Sequence, residues 1–151
     1  MQLKNHSFTK TDNMKLKVGV LGAGHLGKIH LKLLQQSEKY QLVGFYDPDE
    51  SNGIKVEAEF GYCFFKSLEA LIEAVDVVDI VTPTLSHYTC AIKAITQGKH
   101  IFIEKPITNT VEEAEQIRLL VSENNLRGQV GHVERFNPAF KAVKDDIQSP
   151  M

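Results

Sequence analysis

Four short stretches of this chain have residue types and spacing suited to chemistry. In Gly22-Ala23-Gly24-His25-Leu26-Gly27, three glycines fall at G-x-G-x-x-G spacing between an apolar run and an amphipathic one. Such a loop binds a dinucleotide pyrophosphate: Gly22 permits a tight turn, Gly24 close approach of the backbone, and Gly27 close packing of helix on strand. His25 and Leu26 then offer backbone N–H groups at the positive end of a helix dipole. Asp47, 20 residues beyond Gly27, is placed to accept hydrogen bonds from an adenosine ribose and to repel a 2′-phosphate, which favours NAD over NADP. Thr82-Pro83-Thr84 with His87 supplies hydroxyls for a ribose or an amide, a rigid wall, and an imidazole within reach of a cofactor. Glu104-Lys105-Pro106 places a charged pair directly after an apolar strand. A lysine there can donate to a substrate hydroxyl beside a nicotinamide and stabilise developing alkoxide charge, with Glu104 holding its ammonium.

Each group also has a plainer reading. The glycines suit any sharp turn, and Asp47 or Asp49 can cap the following helix. Thr84 can do the same for its own helix, His87 can cap rather than bind, and Glu104 and Lys105 can be an exposed surface pair.

Positioning these residues at one place requires alternating strands and helices, and the hydrophobic pattern supplies them. Strands are expected at Lys15 to Leu21, Tyr40 to Tyr46, Tyr62 to Phe65, Val77 to Val81, His100 to Ile103 and Gln129 to His132. Helical stripes lie between them: Leu26, Ile29, Leu33 and Leu34; a weaker stretch from Glu50 to Phe60; Leu68, Leu71, Ile72 and Val75; Tyr88, Ala91, Ile92 and Ile95. A fifth, with Val111, Ala114, Ile117 and Val121, is capped by Thr108 or Asn109, and a last helix runs from Phe136 to Ile147. The near-continuous apolar character of Val77 to Val81 fits a parallel strand covered on both faces, with Asp79 needing a partner inside. The fold class is therefore α/β, a doubly wound parallel sheet of six strands in the order 3-2-1-4-5-6. Its ligand crevice lies at the carboxyl ends of strands one and four. Residues 1–14 read as a disordered leader, 15–132 as the dinucleotide-binding domain, and 133–151 as a junction helix opening a second domain.

With Asp47 and the three-residue groups in place, Gly22-x-Gly24-x-x-Gly27-x-x-His30, Thr82-Pro83-Thr84-x-x-His87, Glu104-Lys105-Pro106 and Gly131-His132-x-x-Arg135-Phe136-Asn137-Pro138 together resemble the glucose–fructose oxidoreductase / inositol dehydrogenase family. The ending is most similar to members that oxidise nucleotide sugars at the 3-hydroxyl. The resemblance implies that Lys105 contacts the reacting hydroxyl, that Pro106 shapes the nicotinamide pocket, and that Thr82 and His87 touch cofactor. It also implies a following α/β domain with a large, mostly antiparallel sheet, which supplies a catalytic histidine, often with an aspartate nearby, and the oligomer interface. That domain has no room before Met151, so the expectation is the NAD-binding part of a sugar or nucleotide-sugar dehydrogenase, inactive alone and a homo-oligomer at full length. His132, at the junction, is placed where it can touch substrate or cofactor. Two competing readings are a stand-alone NAD-sensing module and a biliverdin- or dihydrodipicolinate-type reductase. Apolar surface on the last helix discriminates the first reading from a stand-alone module: the former leaves Phe136, Phe140 and Val143 uncovered, whereas the latter covers or pairs them.

Composition bounds the partners. At 151 residues, with 42% hydrophobic and 24% charged residues, the chain can bury the core of about one domain. A formal charge of −2 gives no electrostatic case for nucleic acid or an anionic membrane. No apolar run approaches the roughly 20 residues of a membrane span. Cys63 and Cys90 lack C-x-x-C spacing and read as buried free thiols in a reducing cytoplasm rather than a disulfide or a metal site.

Overall fold

A computed structural model describes residues 15–143. Six parallel strands form one sheet in the order β3-β2-β1-β4-β5-β6. They are β1 (Leu16–Leu21), β2 (Tyr40–Tyr46), β3 (Phe64–Phe65), β4 (Val77–Ile80), β5 (His100–Ile103) and β6 (Gly128–Val130). The connecting helices are α1 (His25–Gln35), α2 (Glu50–Phe60), α3 (Leu68–Ala74), α4 (Thr84–Thr96) and α5 (Val111–Glu123). This is the expected doubly wound sheet, with the strand order reversing between β1 and β4.

Two apolar cores sit on the two faces of the sheet. One packs Val20, Phe45 and Ala23 against Leu31 of α1 and Val56 of α2. The other packs Leu21, Val78, Ile80, Ile101 and Ile103 against α3, Cys90, Ala91, Ala94 and Ile95 of α4, and Ile117 of α5. Adjacent residues of one strand, Val20 and Leu21, serve opposite cores, which is the period-2 alternation of a strand covered on both sides. Fully burying side chains of this size is worth about 1.5–3 kcal/mol each.

Several boundaries differ from the sequence pattern, each for a local reason. The cap of α5 is Thr110, not Thr108 or Asn109. Thr110 and Glu113 form a reciprocal capping box, while the Thr108 hydroxyl donates to the Thr110 carbonyl at 2.7 Å. Strand β6 ends at Val130, so Gly131 and His132 lie in the turn beyond it. The expected helix from Phe136 is broken into a 3-10 turn (Val133–Phe136) and a short helix α6 (Pro138–Ala142). Pro138 is the cause: the residue before a proline is pushed out of the helical region, and Asn137 stands at φ −62, ψ 125, its side chain capping α6 instead. The leader at 1–14 and the stretch expected to continue this helix beyond 143 lie outside the described residues. Cys90 is buried as expected, but Cys63 is exposed beside the short edge strand β3; both are free thiols. Among the described residues, no helix is long and apolar enough to cross a membrane.

Candidate active site

The glycine loop begins where β1 runs out of sheet. Gly22 stands at φ +95, and a Cβ on it would lie 2.8 Å from the Val81 carbonyl oxygen at the end of β4. Gly22 is therefore what lets β1 turn away beside β4. A Cβ on Gly27 would overlap the Gly22 carbonyl, so the first turn of α1 packs directly onto the loop. Gly24 differs: a Cβ there would meet nothing within 4 Å. It is the N-cap of α1, makes no side-chain cap, and is followed by no acidic residue in the first turn. Open space above an uncapped helix N-terminus, with the His25 and Leu26 backbone at its start, suits the pyrophosphate of a dinucleotide.

Asp47, 9% exposed at the end of β2, holds this loop from the side. Its Oδ2 accepts from the Ala23 N–H at 2.8 Å and from Asn52 Nδ2 at 3.1 Å, and its Oδ1 accepts from the Asp49 N–H at 2.9 Å. Capping of α2 falls to Asp49, whose Oδ1 accepts from the Ser51 and Asn52 N–H groups. Of the roughly four acceptor positions of a carboxylate, Asp47 therefore keeps one, on Oδ1. Asn52 was not visible as a site residue in the sequence. Its amide also donates to the Ala23 carbonyl at 3.3 Å, tying α2 to the glycine loop.

Across the crevice, α4 is likewise uncapped by any side chain: Pro83 is its N-cap and Thr84 its first residue, so Thr84 does not cap it. Thr82 Oγ1 is buried without a hydrogen-bond partner among the described residues. His87 neither caps nor faces open space. It is 1% exposed, with Nδ1 2.9 Å from the Pro106 carbonyl and Nε2 2.8 Å from the Thr82 carbonyl. Both ring nitrogens are thus engaged by the chain, and the sequence expectation of cofactor contact through them is corrected. His87 ties the loop after β4 to the loop after β5, because one turn into α4 its ring points back between the two strand ends.

Glu104 also departs from expectation. It is buried, and its carboxylate does not hold the Lys105 ammonium. Oε2 accepts from the Lys105 backbone N–H at 3.0 Å, and Oε1 lies 3.4 Å from His30 Nε2. The other nitrogen of His30 is 2.8 Å from Asp79 Oδ2, which supplies the interior partner that Asp79 requires. Burial works against charge on His30, but the hydrogen bond to Asp79, the charges of Asp79 and Glu104, and the contact with Glu104 together raise its pKa above the ordinary 6.5. Burial also pushes the Asp79 carboxyl up, against the pull of His30. The two titrate as a unit, and the geometry favours charge on the ring, since ionised carboxylates only accept and one faces each nitrogen. Stability from the charged ring is complete below 6.5 and is lost as pH rises through the higher folded value.

Lys105 itself is exposed, joined to Pro106 by a cis peptide bond. Among the described residues, no hydrogen bond or ion pair holds its ammonium. Lys105 and Pro106 line a cleft together with His132, Arg135 and Phe140. The structure thus brings Gly22, Gly24 and Gly27, Asp47, the Thr82–Thr84 turn and Lys105 with Pro106 to the carboxyl edge of one sheet. It turns His87 and Glu104 inward as supports.

The same arrangement has known relatives. Residues 16–132 match the model of an oxidoreductase family with an NAD-binding Rossmann fold. The UDP-N-acetylglucosamine 3-dehydrogenase of Acidithiobacillus ferrooxidans is 37% identical over 133 residues, covering 85% of this chain and 41% of that protein. The scyllo-inositol 2-dehydrogenase (NAD(+)) of Bacillus subtilis is 37% identical over 139 residues, covering 89% of this chain and 41% of the relative. A solved structure of the Acidithiobacillus ferrooxidans enzyme superposes with a TM-score of 0.81 at 36% identity, over 87% of this chain and 42% of that one. The chain spans about two fifths of the length of these relatives. With an NAD-binding Rossmann fold matched over residues 16–132, the chain belongs to the glucose–fructose oxidoreductase / inositol dehydrogenase family of oxidoreductases.

Proposed function

We propose that this chain is the cofactor-binding part of a two-domain dehydrogenase that oxidises a secondary hydroxyl of a sugar, with a nucleotide sugar oxidised at its 3-hydroxyl as the preferred substrate class. The observation that carries the reading is Lys105: an exposed cation without an ion pair among the described residues, beside Pro106 in a cleft at the carboxyl edge of the sheet. A cation free of a carboxylate partner is available to a substrate oxygen. Similarity to a UDP-N-acetylglucosamine 3-dehydrogenase and to a scyllo-inositol 2-dehydrogenase supports the substrate class.

When bound, NAD supplies the hydride acceptor. The N–H groups of His25 and Leu26 would hold the pyrophosphate, and the remaining acceptor position of Asp47 would take one ribose hydroxyl. Thr82, Pro83 and Thr84 line the crevice on the α4 side, and Pro106 shapes the nicotinamide end. Lys105 donates to the reacting hydroxyl oxygen and stabilises the negative charge that develops on it, an effect of about 10²–10⁴-fold in rate for a positioned acid or base. The base that removes the proton comes from a further α/β domain. Val133, Phe136, Phe140 and Val143 are 57%, 73%, 49% and 44% exposed, an apolar face beside the cleft that such a domain would cover. On this reading residues 133–143 belong to the junction, and His132, which lines the cleft, borders the substrate space.

Calorimetric titration tests the reading. The folded chain is expected to bind NAD at up to millimolar concentration and to oxidise no sugar unaided. A folded chain that binds no NAD in that range, or that turns over substrate without another domain, overturns it.

A further inference from the structure

The buried cluster of Asp79, His30 and Glu104 adjoins the cleft through Glu104, which precedes Lys105 and packs against Gly131, the neighbour of His132. His30 comes from the second turn of α1, Asp79 from the middle of β4, and Glu104 from the end of β5. The side chains of all three are nearly closed to solvent, 14% exposed for His30 and 7% for Asp79 and Glu104. Asp79 Oδ1 has no partner, so His30 is the one group that satisfies this carboxylate among the described residues. On the other side of the ring, Glu104 Oε1 faces His30 while Oε2 takes the Lys105 N–H at 3.0 Å. The same Oε1 sets the approach of the junction: a Cβ on Gly131 would fall 2.7 Å from it. Asp79 and Glu104 are the titratable groups acting on the ring, and Phe102 meets it edge-on at 6.0 Å.

Two buried carboxylates on one imidazole are poorly explained by stability alone, because desolvating such a set usually costs as much as its attractions return. The chain of contacts runs instead to a defined place. We propose that His30 is a positioning residue: charged between Asp79 and Glu104, it fixes the Glu104 carboxylate, which fixes the Lys105 backbone and the packing of Gly131, and so the opening of the cleft. The assignment rests on the reading of Lys105 as the group that meets the reacting hydroxyl. The coupling itself does not require that reading. When His30 loses its proton, the hydrogen bond to Asp79 can persist, but the charge contact at 3.4 Å that holds Glu104 to the ring is lost, and the Lys105 N–H bond shifts with it.

Nuclear magnetic resonance on the whole chain separates these points. In the wild type, the His30 ring is expected to titrate with a midpoint above 6.5, and the Lys105 backbone amide to move with the same midpoint. Asp79→Asn removes one of the two flanking charges and should lower both midpoints together. His30→Asn should abolish the step at Lys105 and leave the Ala23 amide, held by Asp47, without one. A part that merely filled space would give Lys105 no pH step linked to His30. The proposal is overturned by a Lys105 amide that does not follow His30, by a His30 midpoint at or below 6.5, or by midpoints that separate in Asp79→Asn. If His30→Asn fails to fold, the wild type and Asp79→Asn still decide. NAD added to the same samples reads the cofactor site separately: absent shifts at Gly24 and His25 would sink the functional reading and leave the coupling standing.

Discussion

The α-helices of this domain begin in two different ways. Helices α2, α3, α5 and α6 are closed by their own side chains: Asp49, Ser67, Thr110 and Asn137 accept from N–H groups of the first turn. Helices α1 and α4 are not; Gly24 and Pro83 stand at the cap position and no side chain reaches back. The two exceptions flank β1 and β4, where the strand order reverses. Without a side-chain cap, first-turn N–H groups are left to solvent or a ligand. Losing a capping side chain costs about 0.5–2 kcal/mol, though only a few tenths where the cap is glycine. Among the described α-helices only these two, both at the crevice, lack a side-chain cap, which supports the reading that their first-turn donors serve a ligand.

The contrast can be broken deliberately, beginning with the largest effect. Gly27→Val drives a side chain into the Gly22 carbonyl, so NAD binding should disappear in a calorimetric titration and stability should fall by about 2–4 kcal/mol in a denaturant melt. In the two-domain enzyme proposed above, Lys105→Met should lower kcat by about 10²–10⁴-fold while NAD affinity holds within a few-fold; equal losses in both would place Lys105 on the cofactor instead. Asp47→Ser should shift the NAD-to-NADP affinity ratio toward NADP by at least about tenfold, through loss of the carboxylate proposed to take a ribose hydroxyl. Gly24→Asp sharpens the comparison most directly. The cap geometry of Gly24, φ −68 and ψ −166, accepts any residue, and the space around it is open. An acid there should raise the melting temperature of the cofactor-free chain, by about 0.3–1 kcal/mol of stabilisation, while weakening NAD severely. Thr110→Ala, at an ordinary capped helix, should do the reverse in kind: about 1 kcal/mol of stability lost and NAD affinity unchanged.

How much of this was legible depends on how far apart the interacting residues lie. The strands, the glycine turn and the place of Asp47 follow from short-range patterns, and the structure bears out the resulting fold. Some local signals were present but misjudged: Thr110-x-x-Glu113 is a capping box in plain sequence, and Pro138 marks the break before α6. Other features were out of reach. Nothing near His87 says that its ring faces two carbonyls, and nothing near Glu104 says that its carboxylate turns inward to His30 rather than outward to the Lys105 ammonium. Asn52 is hidden for the same reason, since its two partners arrive from different strand ends.

The sequence by itself determined the alternation of elements, the glycine loop and the acid that follows it, because each is encoded in periodicity and in residue types a few positions apart. Only the tertiary structure decided which charged groups face solvent and which face one another. His30 and Asp79 are 49 positions apart, and they meet because the sheet sets β4 beside β1 and α1 packs over β1, from where the His30 ring reaches across to β4. A buried charge takes whatever partner the fold delivers, and strand order delivered His30 to Asp79 and Glu104, leaving the Lys105 ammonium without an ion pair among the described residues, where it lines the cleft.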